Sequence, residues 1–155
     1  MGGGALNAAT EPRWTPAYLI RSGETGDRAY VLRSWFEGAR RSRWGGDVGE
    51  FFFQFHGPLI EEILDHPKTV TRVAHVVDER PAILGFAVLA LAEGMAPVLH
   101  WVQVRHRCRG MGIARALLGA LASAPTVHCS HWPTTAYRLP PPNFRYNPYR
   151  LLAIE

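Results

Sequence analysis

The sequence predicts a single α/β domain built around a mixed β-sheet. Alternating apolar and polar residues, which are typical of strands, are interleaved with segments that carry apolar residues at helical spacing. The chain has 155 residues, of which 47% are hydrophobic, and this is sufficient for one core. Residues 102–118 pass from a strand pattern through a glycine-containing loop into a helix pattern, which predicts a crossover unit.

The first half of the chain predicts one strand followed by two helices. Residues 1–16 are small and polar with no periodicity, so they are predicted to be a flexible arm before a domain over 17–132. A strand is expected at 17–21 and a helix from Asp27 to Arg41. Asp47 and Glu50 resemble the capping box of a second helix. Gly57 and Pro58 predict a kink or a break in that helix.

The second half predicts a hairpin followed by a strand–helix–strand unit. The hairpin strands are expected at 70–78 and 82–91, and the unit comprises a strand at 98–104, a helix at 112–121 and a strand at 126–132. The two strands joined through the helix should run parallel. Residues 133–155 are predicted to be a tail that packs on the domain, and its prolines exclude a long helix.

The loop Arg109-Gly110-Met111-Gly112-Ile113-Ala114 predicts an anion site. Two glycines permit close backbone approach, and a helix begins directly after them with its positive dipole end. A phosphate or pyrophosphate suits such a loop. A P-loop is excluded because the chain contains no Gly-Lys pair, and the dinucleotide fingerprint is excluded because Arg115 stands where a third glycine is needed.

This segment resembles motif A of the GCN5-related N-acetyltransferase (GNAT) superfamily. The matching residues are Val104, Arg109, Gly110, Gly112, Ile113, Ala114, Leu117 and Leu118, and the family's usual proline is replaced by His106. The resemblance implies an α/β fold whose fourth and fifth strands splay apart. It also implies acetyl-coenzyme A as the cofactor, no metal, and direct acetyl transfer to an amine of a small molecule or a protein.

The same resemblance assigns the cofactor-binding residues. The pantetheine arm is expected against Val102, Gln103 and Val104 on the fourth strand, and the pyrophosphate on the loop from Arg109 to Ala114, including Met111 and Ile113. The resemblance covers about residues 17–132, and the family's fourth helix, which carries a catalytic tyrosine, has no counterpart in the tail.

The catalytic residues are less directly indicated. Many family members carry a glutamate on the fourth strand where this chain has Val98, whereas arylalkylamine acetyltransferases use histidines there. His100 is therefore the preferred base, and alternation places it on the face of Val102 and Val104. The preferred acid is Tyr146 or Tyr149, ahead of Tyr137.

Two classes of function remain open. An intact loop favours an acetyltransferase, whereas the missing glutamate and the short tail favour an inactive GNAT-fold module for binding or assembly. The layout also resembles small acetyltransferase-like proteins of tailed phages. The sequence does not predict the acceptor or the oligomeric state.

Composition and charge further limit the binding partners and the cell compartment that we expect. The net charge of +4 comes largely from arginine clusters at 40–43 and 105–109, and the phosphates of coenzyme A account for the second without nucleic acid. No apolar run is long enough for a membrane helix, and the first residues lack the pattern of a signal peptide. Two cysteines suggest no disulfide framework, so the cytoplasm is expected. His128, Cys129 and His131 suggest zinc, but alternation places Cys129 and His131 on one face and His128 on the other, with no second ligand pair nearby.

Overall fold

The protein is described by a computed structural model over residues 16–42, 50–131 and 143–150. One six-stranded sheet organises the fold, with its strands in sequence order. The strands are β1 (Tyr18–Ser22), β2 (Thr69–Val76), β3 (Glu79–Ala90), β4 (Val98–Val104), β5 (Val127–Cys129) and β6 (Phe144–Tyr146). The α-helices are α1 (Arg28–Arg40), α2 (Glu50–Asp65) and α3 (Ile113–Leu118).

The sheet is mixed, as the sequence predicts. β1 to β4 pair antiparallel in succession, and β5 pairs parallel with β4 after the crossover through α3. This arrangement confirms both the hairpin and the parallel strand–helix–strand unit. β4 has the predicted bounds, because its apolar run is flanked by turn residues on both sides.

The helices cover both faces of the sheet, so two apolar clusters form. On one face, α1 and α2 pack on the sheet around Trp35, Ile60 and Trp101. On the other face, α3 packs through Ile113 and Leu117. We refer to these as the α1/α2 face and the α3 face.

Two helices differ from the sequence prediction. The α-helical part of the 112–121 segment ends at Leu118, and a 3₁₀ helix continues over Gly119–Ser123. Gly119 has a positive φ of 54°, which an α-helix cannot contain, so the helix changes type there. The sequence predicts a kink or a break at Gly57 and Pro58. The structure shows no break, because α2 is one continuous helix with Pro58 inside it.

The tail contributes a strand that the sequence analysis did not predict. β6 pairs parallel with β5, and its Phe144 joins the α3-face cluster. A 3₁₀ turn follows at Pro148–Arg150. Among the described residues after α3 there is no α-helix. Residues 132–142, where the family's fourth helix would fall, lie outside the described residues, so its predicted lack stays a prediction. Residues 1–15 of the arm predicted over 1–16 lie outside the described residues.

Candidate active site

A gap opens between β4 and β5 next to the glycine loop. The two strands are in register only at Val98 with His128 and at Leu99 with Cys129. The Ser130 amide donates to the Leu99 carbonyl at 3.1 Å. Beyond Leu99, no described residue after β5 pairs with β4. Within the described residues the two strands therefore part after Leu99, as the family resemblance implies.

The backbone of β4 offers hydrogen-bonding groups to this gap. The Arg105 amide donates to the Leu84 carbonyl at 2.8 Å, which fixes the alternation of hydrogen-bonded pairs between β3 and β4. By that alternation, Val102 and Val104 direct their N–H and C=O groups away from β3 into the gap. Gln103 directs its own backbone toward β3, so its expected contact with the pantetheine arm is the weakest of the three.

The loop after β4 has the conformation that its glycines suggest. Gly110 and Gly112 both have positive φ, at 82° and 79°. A Cβ placed on Gly110 would have nothing within 4 Å, so this side of the loop is open. The Tyr18 hydroxyl donates to the Met111 carbonyl at 3.3 Å and ties the loop to β1. Of the last two residues of the predicted cradle, Ile113 is buried in the core and Ala114 is exposed.

Arginine side chains surround the loop. Arg105, Arg107 and Arg109 are all exposed. Arg109 Nε lies 3.4 Å from the Val104 carbonyl oxygen, while Arg105 lies over the Tyr30 ring at 5.7 Å. Among the described residues, no carboxylate pairs with Arg105 or Arg107. The loop therefore carries positive charge that a phosphate group could neutralise.

A β-bulge changes the orientation of His100. Val88 faces Trp101 and Leu89 faces Leu99, so His100 is an extra residue on β4. Leu99 packs on the α3 face and Trp101 on the α1/α2 face. The His100 ring lies 6.5 Å from that of Trp35 on α1. The prediction that His100 shares a face with Val102 and Val104 is therefore wrong, because the bulge interrupts the alternation.

His100 belongs to a buried hydrogen-bonded chain. It is only 1% exposed, and its Nδ1 lies 2.8 Å from Ser130 Oγ. The same hydroxyl oxygen lies 3.0 Å from His131 Nδ1. The sequence analysis missed Ser130. No sequence signal marks it, because its contact with His100 depends on the register of β4 with β5.

Aromatic rings enclose the hydrogen-bonded side chains of His100, Ser130 and His131 on the α1/α2 face. The His131 ring lies 5.3 Å from Trp35 and 5.9 Å from Trp101, and 5.1 Å from His56 on α2. Trp35 and Trp101 are stacked at 6.0 Å. Because these rings remove water from the imidazoles, charged forms are disfavoured.

Burial holds these histidines in the neutral form. It lowers the pKa of His56 to about 4 and that of His100 to about 4, the latter with a smaller contribution from His66. Burial also lowers the pKa of His131 to about 3, and His56 and His100 act in the same direction. At neutral pH each ring therefore has one N–H and one lone pair.

The predicted acid and base are not brought together. Phe144 packs on the α3 face, and Tyr146, two residues later, lies on the same face of the sheet with 48% exposure. His100 lies on the opposite face. The Tyr149 side chain and all of Tyr137 lie outside the described residues.

The described residues provide no metal centre and no membrane helix. Within them, no three histidine, cysteine or acidic side chains are arranged to hold a metal ion. Cys129 packs on the α3 face, whereas the His131 ring lies against Trp35 on the α1/α2 face, so the expectation that these two residues share a face is wrong. In the same parts of the chain, no helix combines the length and hydropathy needed to cross a membrane.

Comparisons with known proteins identify the fold. No protein-family profile and no curated protein sequence matches the chain. Among solved structures, a candidate acetyl transferase of Pyrococcus furiosus is 20% identical with a TM-score of 0.56, covering 77% of this chain and 86% of its own. A candidate GNAT-family acetyltransferase of Staphylococcus aureus is 15% identical with a TM-score of 0.50, covering 67% and 88%. This chain has the GNAT fold.

Proposed function

We propose that this protein is an acyltransferase that uses acetyl-coenzyme A to acetylate an amine by direct transfer. The observation that carries the proposal is the gap between β4 and β5, which opens directly onto the glycine loop. A strand-like ligand could occupy this gap as if it were an added strand. The GNAT fold supports the same activity.

The residues around the gap fit coenzyme A. Val102 and Val104 direct backbone groups into it, which suits the amides of a pantetheine arm. Gly110 leaves one side of the loop open, and the exposed arginines nearby match a pyrophosphate. The cofactor would supply a thioester, which activates the acetyl group toward a nucleophile.

The chain's own residues would bind, orient and exclude water. Arg107 and Arg109 would neutralise the phosphates, and the Tyr18 hydroxyl would hold the loop in the binding conformation through its bond to Met111. At the closed end of the gap, the rings of Trp35 and Trp101 exclude water from His100. Neutral His100 has one lone pair, and it could take the proton of an attacking amine only if the amine reaches this buried ring.

Calorimetry with acetyl-coenzyme A tests the cofactor site. We expect Gly110→Asp to abolish binding, because the carboxylate would stand where a phosphate is held. Gly94→Asp is the matched control: Gly94 also has a positive φ, of 72°, with nothing within 4 Å of an added Cβ, but it lies in the turn before β4. Unchanged affinity in Gly110→Asp would overturn the proposal.

A second candidate function is a GNAT-fold module that binds coenzyme A without transferring the acetyl group. The observation that favours it is the placement of the predicted base and acid on opposite faces of the sheet. Release of free thiol from acetyl-coenzyme A, measured across a panel of aryl and alkyl amines, distinguishes the two. Tight binding without thiol release for any amine would favour the module.

A further inference from the structure

The side chain of Gln103 is held in one orientation on the α1/α2 face. Its Oε1 accepts a hydrogen bond from Trp101 Nε1 at 3.0 Å. An indole nitrogen can only donate, so the amide oxygen faces Trp101 and the amide NH2 group points away from it. Trp101 is itself fixed, because its ring stacks on that of Trp35 at 6.0 Å.

A glycine of α1 makes room for this arrangement. A Cβ on Gly38 would lie 2.8 Å from Gln103 Oε1 and 2.9 Å from the Trp101 ring. A larger residue at this position would therefore displace the amide or the indole. The Gln103 amide is thus positioned by α1, by Trp101 and by its own strand together.

The NH2 group of Gln103 is accessible to a ligand. Its Nε2 has no hydrogen-bond partner among the described residues, and it is not one of their buried polar atoms that lack a partner, so solvent reaches it. In this respect it differs from His100 Nε2 and His131 Nε2, which are both buried. The Gln103 N–H groups can therefore be donated to a ligand oxygen without rearrangement of the side chain.

Gln103 borders the gap on the face of the sheet that the proposed cofactor leaves free. The cofactor would enter at the glycine loop, where Cys108 and Met111 pack on the α3 face. Its pantetheine arm would then lie in the plane of the sheet, against the backbone of Val102 and Val104. An acceptor amine has the α1/α2 face left for its approach, and Gln103 directs its side chain to that face.

The charges near Gln103 limit the chemistry of such an acceptor. A neutral amide donor suits a carbonyl or carboxylate oxygen. Glu37, the acidic residue of α1, is already paired with Arg40 and Arg41, at 2.9 and 3.7 Å. Helix α1 therefore offers no free carboxylate to a second ammonium group, which a polyamine would need.

We propose that Gln103 is a specificity-determining residue that donates a hydrogen bond to an oxygen of the acceptor, an inference that rests on the proposed function. The oxygen belongs to a carbonyl or carboxylate group bonded to the carbon that carries the amine. The acceptor class is therefore the α-aminoacyl group, as in a free amino acid or the amino end of a peptide. By holding this oxygen, Gln103 directs the amine toward the acetyl carbon.

Two acceptors of matched shape test the inference. Alaninamide carries the carbonyl oxygen, and 2-aminopropane replaces its amide group with a methyl group. With acetyl-coenzyme A saturating, thiol release gives kcat/KM for each acceptor. Because the ratio of the two kcat/KM values is compared between variants, the basicity of each amine cancels. The same comparison extends to other α-amino amides with their matched alkylamines, and alanine distinguishes a free amino acid from a peptide end.

Two substitutions at Gln103 should lower this ratio. In Gln103→Met we expect alaninamide to lose its advantage over 2-aminopropane by about tenfold, the upper end of the effect of one neutral hydrogen bond. Gln103→Glu retains an oxygen for Trp101 but replaces the NH2 group with a second acceptor oxygen, so the ratio should fall at least as far. Gln54→Glu is the matched control, because it makes the same change at an exposed position of α2.

NMR provides a readout that does not depend on turnover. In the complex with coenzyme A, the side-chain amide protons of Gln103 should shift when alaninamide is added and not when 2-aminopropane is added. Calorimetry with acetyl-coenzyme A checks that each variant is folded and binds the cofactor.

The outcomes separate this inference from the proposed function. A natural protein that does not bind acetyl-coenzyme A overturns the proposed function by calorimetry alone. A preference for 2-aminopropane, or a ratio unchanged in both Gln103 variants, overturns the inference and leaves the proposed function standing. An equal loss for both acceptors with a weaker Kd for acetyl-coenzyme A places the amide on the cofactor and overturns it too. So does cofactor binding without turnover of any α-amino amide.

Discussion

Gly85 shows how one missing side chain sets the distance between β3 and β4. A Cβ on this residue would lie 2.7 Å from the Gln103 carbonyl oxygen and 3.2 Å from the Val104 Cα. Both are backbone atoms, so no side-chain rotation can relieve the contact. β4, whose backbone groups at Val102 and Val104 face the gap, is thus held close to β3 by a glycine.

We expect Gly85→Ala to lower the free energy of unfolding by about 1–3 kcal/mol, the usual cost of inserting a methyl group into a packed site. Urea denaturation measures this effect. Gly26→Ala is the matched control, because an added Cβ at Gly26 has nothing within 4 Å and its φ is not positive. Equal stability of the two variants would contradict this account of Gly85.

At the scale of elements, α3 is held by a side chain from the sheet. Arg72 of β2 directs Nη1 to the carbonyl oxygens of Leu117 and Leu118, at 3.1 and 3.2 Å. These carbonyls lie at the end of the helix, where no further turn of α-helix supplies donors. The position of α3, and with it the loop at its start, depends on this contact.

Arg72→Met should remove the contact while retaining much of the side chain's apolar volume. We expect a loss of about 1.5–3 kcal/mol in unfolding free energy, as for other hydrogen bonds to charged groups. Amide hydrogen exchange should accelerate most in α3. The exposed Arg33→Met on α1 serves as the control. Unchanged exchange in α3 for Arg72→Met would show that packing alone holds the helix.

The sequence predicted elements well where local patterns decide them. β4 and the hairpin have strong apolar runs between turn residues. The bulge at His100 was missed because alternation carries no mark of an inserted residue, and the face of His100 was therefore wrong. β6 was missed because three residues after a proline-rich segment show no periodicity, so only pairing with β5 makes them a strand.

Within the candidate site, the sequence predicted the glycine loop but not the hydrogen-bonded contacts of Ser130 with His100 and His131. Arg109 to Ala114 lie close together in sequence, so a motif can represent them. His100 and Ser130 are 30 residues apart, and their contact depends on the register of β4 with β5. A register between distant strands is set by tertiary packing, and one sequence alone does not specify it.

At the scale of the whole molecule, buried histidines make stability depend on pH. The pKa values of His56, His100 and His131 fall from 6.5 to about 4, 4 and 3 on folding. The unfolded chain therefore binds more protons than the folded one at mildly acidic pH. Stability is full above pH 6.5 and is lost as the pH falls from there toward 4.

We expect the unfolding free energy to be nearly flat from pH 8 to 7 and to fall steeply between about pH 6 and pH 4. Each fully titrating histidine contributes up to about 1.4 kcal/mol per pH unit. Urea denaturation at fixed pH values measures the slope. His131→Gln should reduce it, whereas a slope unchanged by this variant would show that other groups control the acid response.

The short strand β6 also affects how the molecule meets its own copies. In the described residues, β6 is the last strand of the sheet. Because it is only three residues long, it offers few backbone groups with which another polypeptide could pair. Arg145 at its centre is exposed, and a charge at a sheet edge repels an identical edge. The tail thus protects the parallel strand β5 from edge-to-edge aggregation.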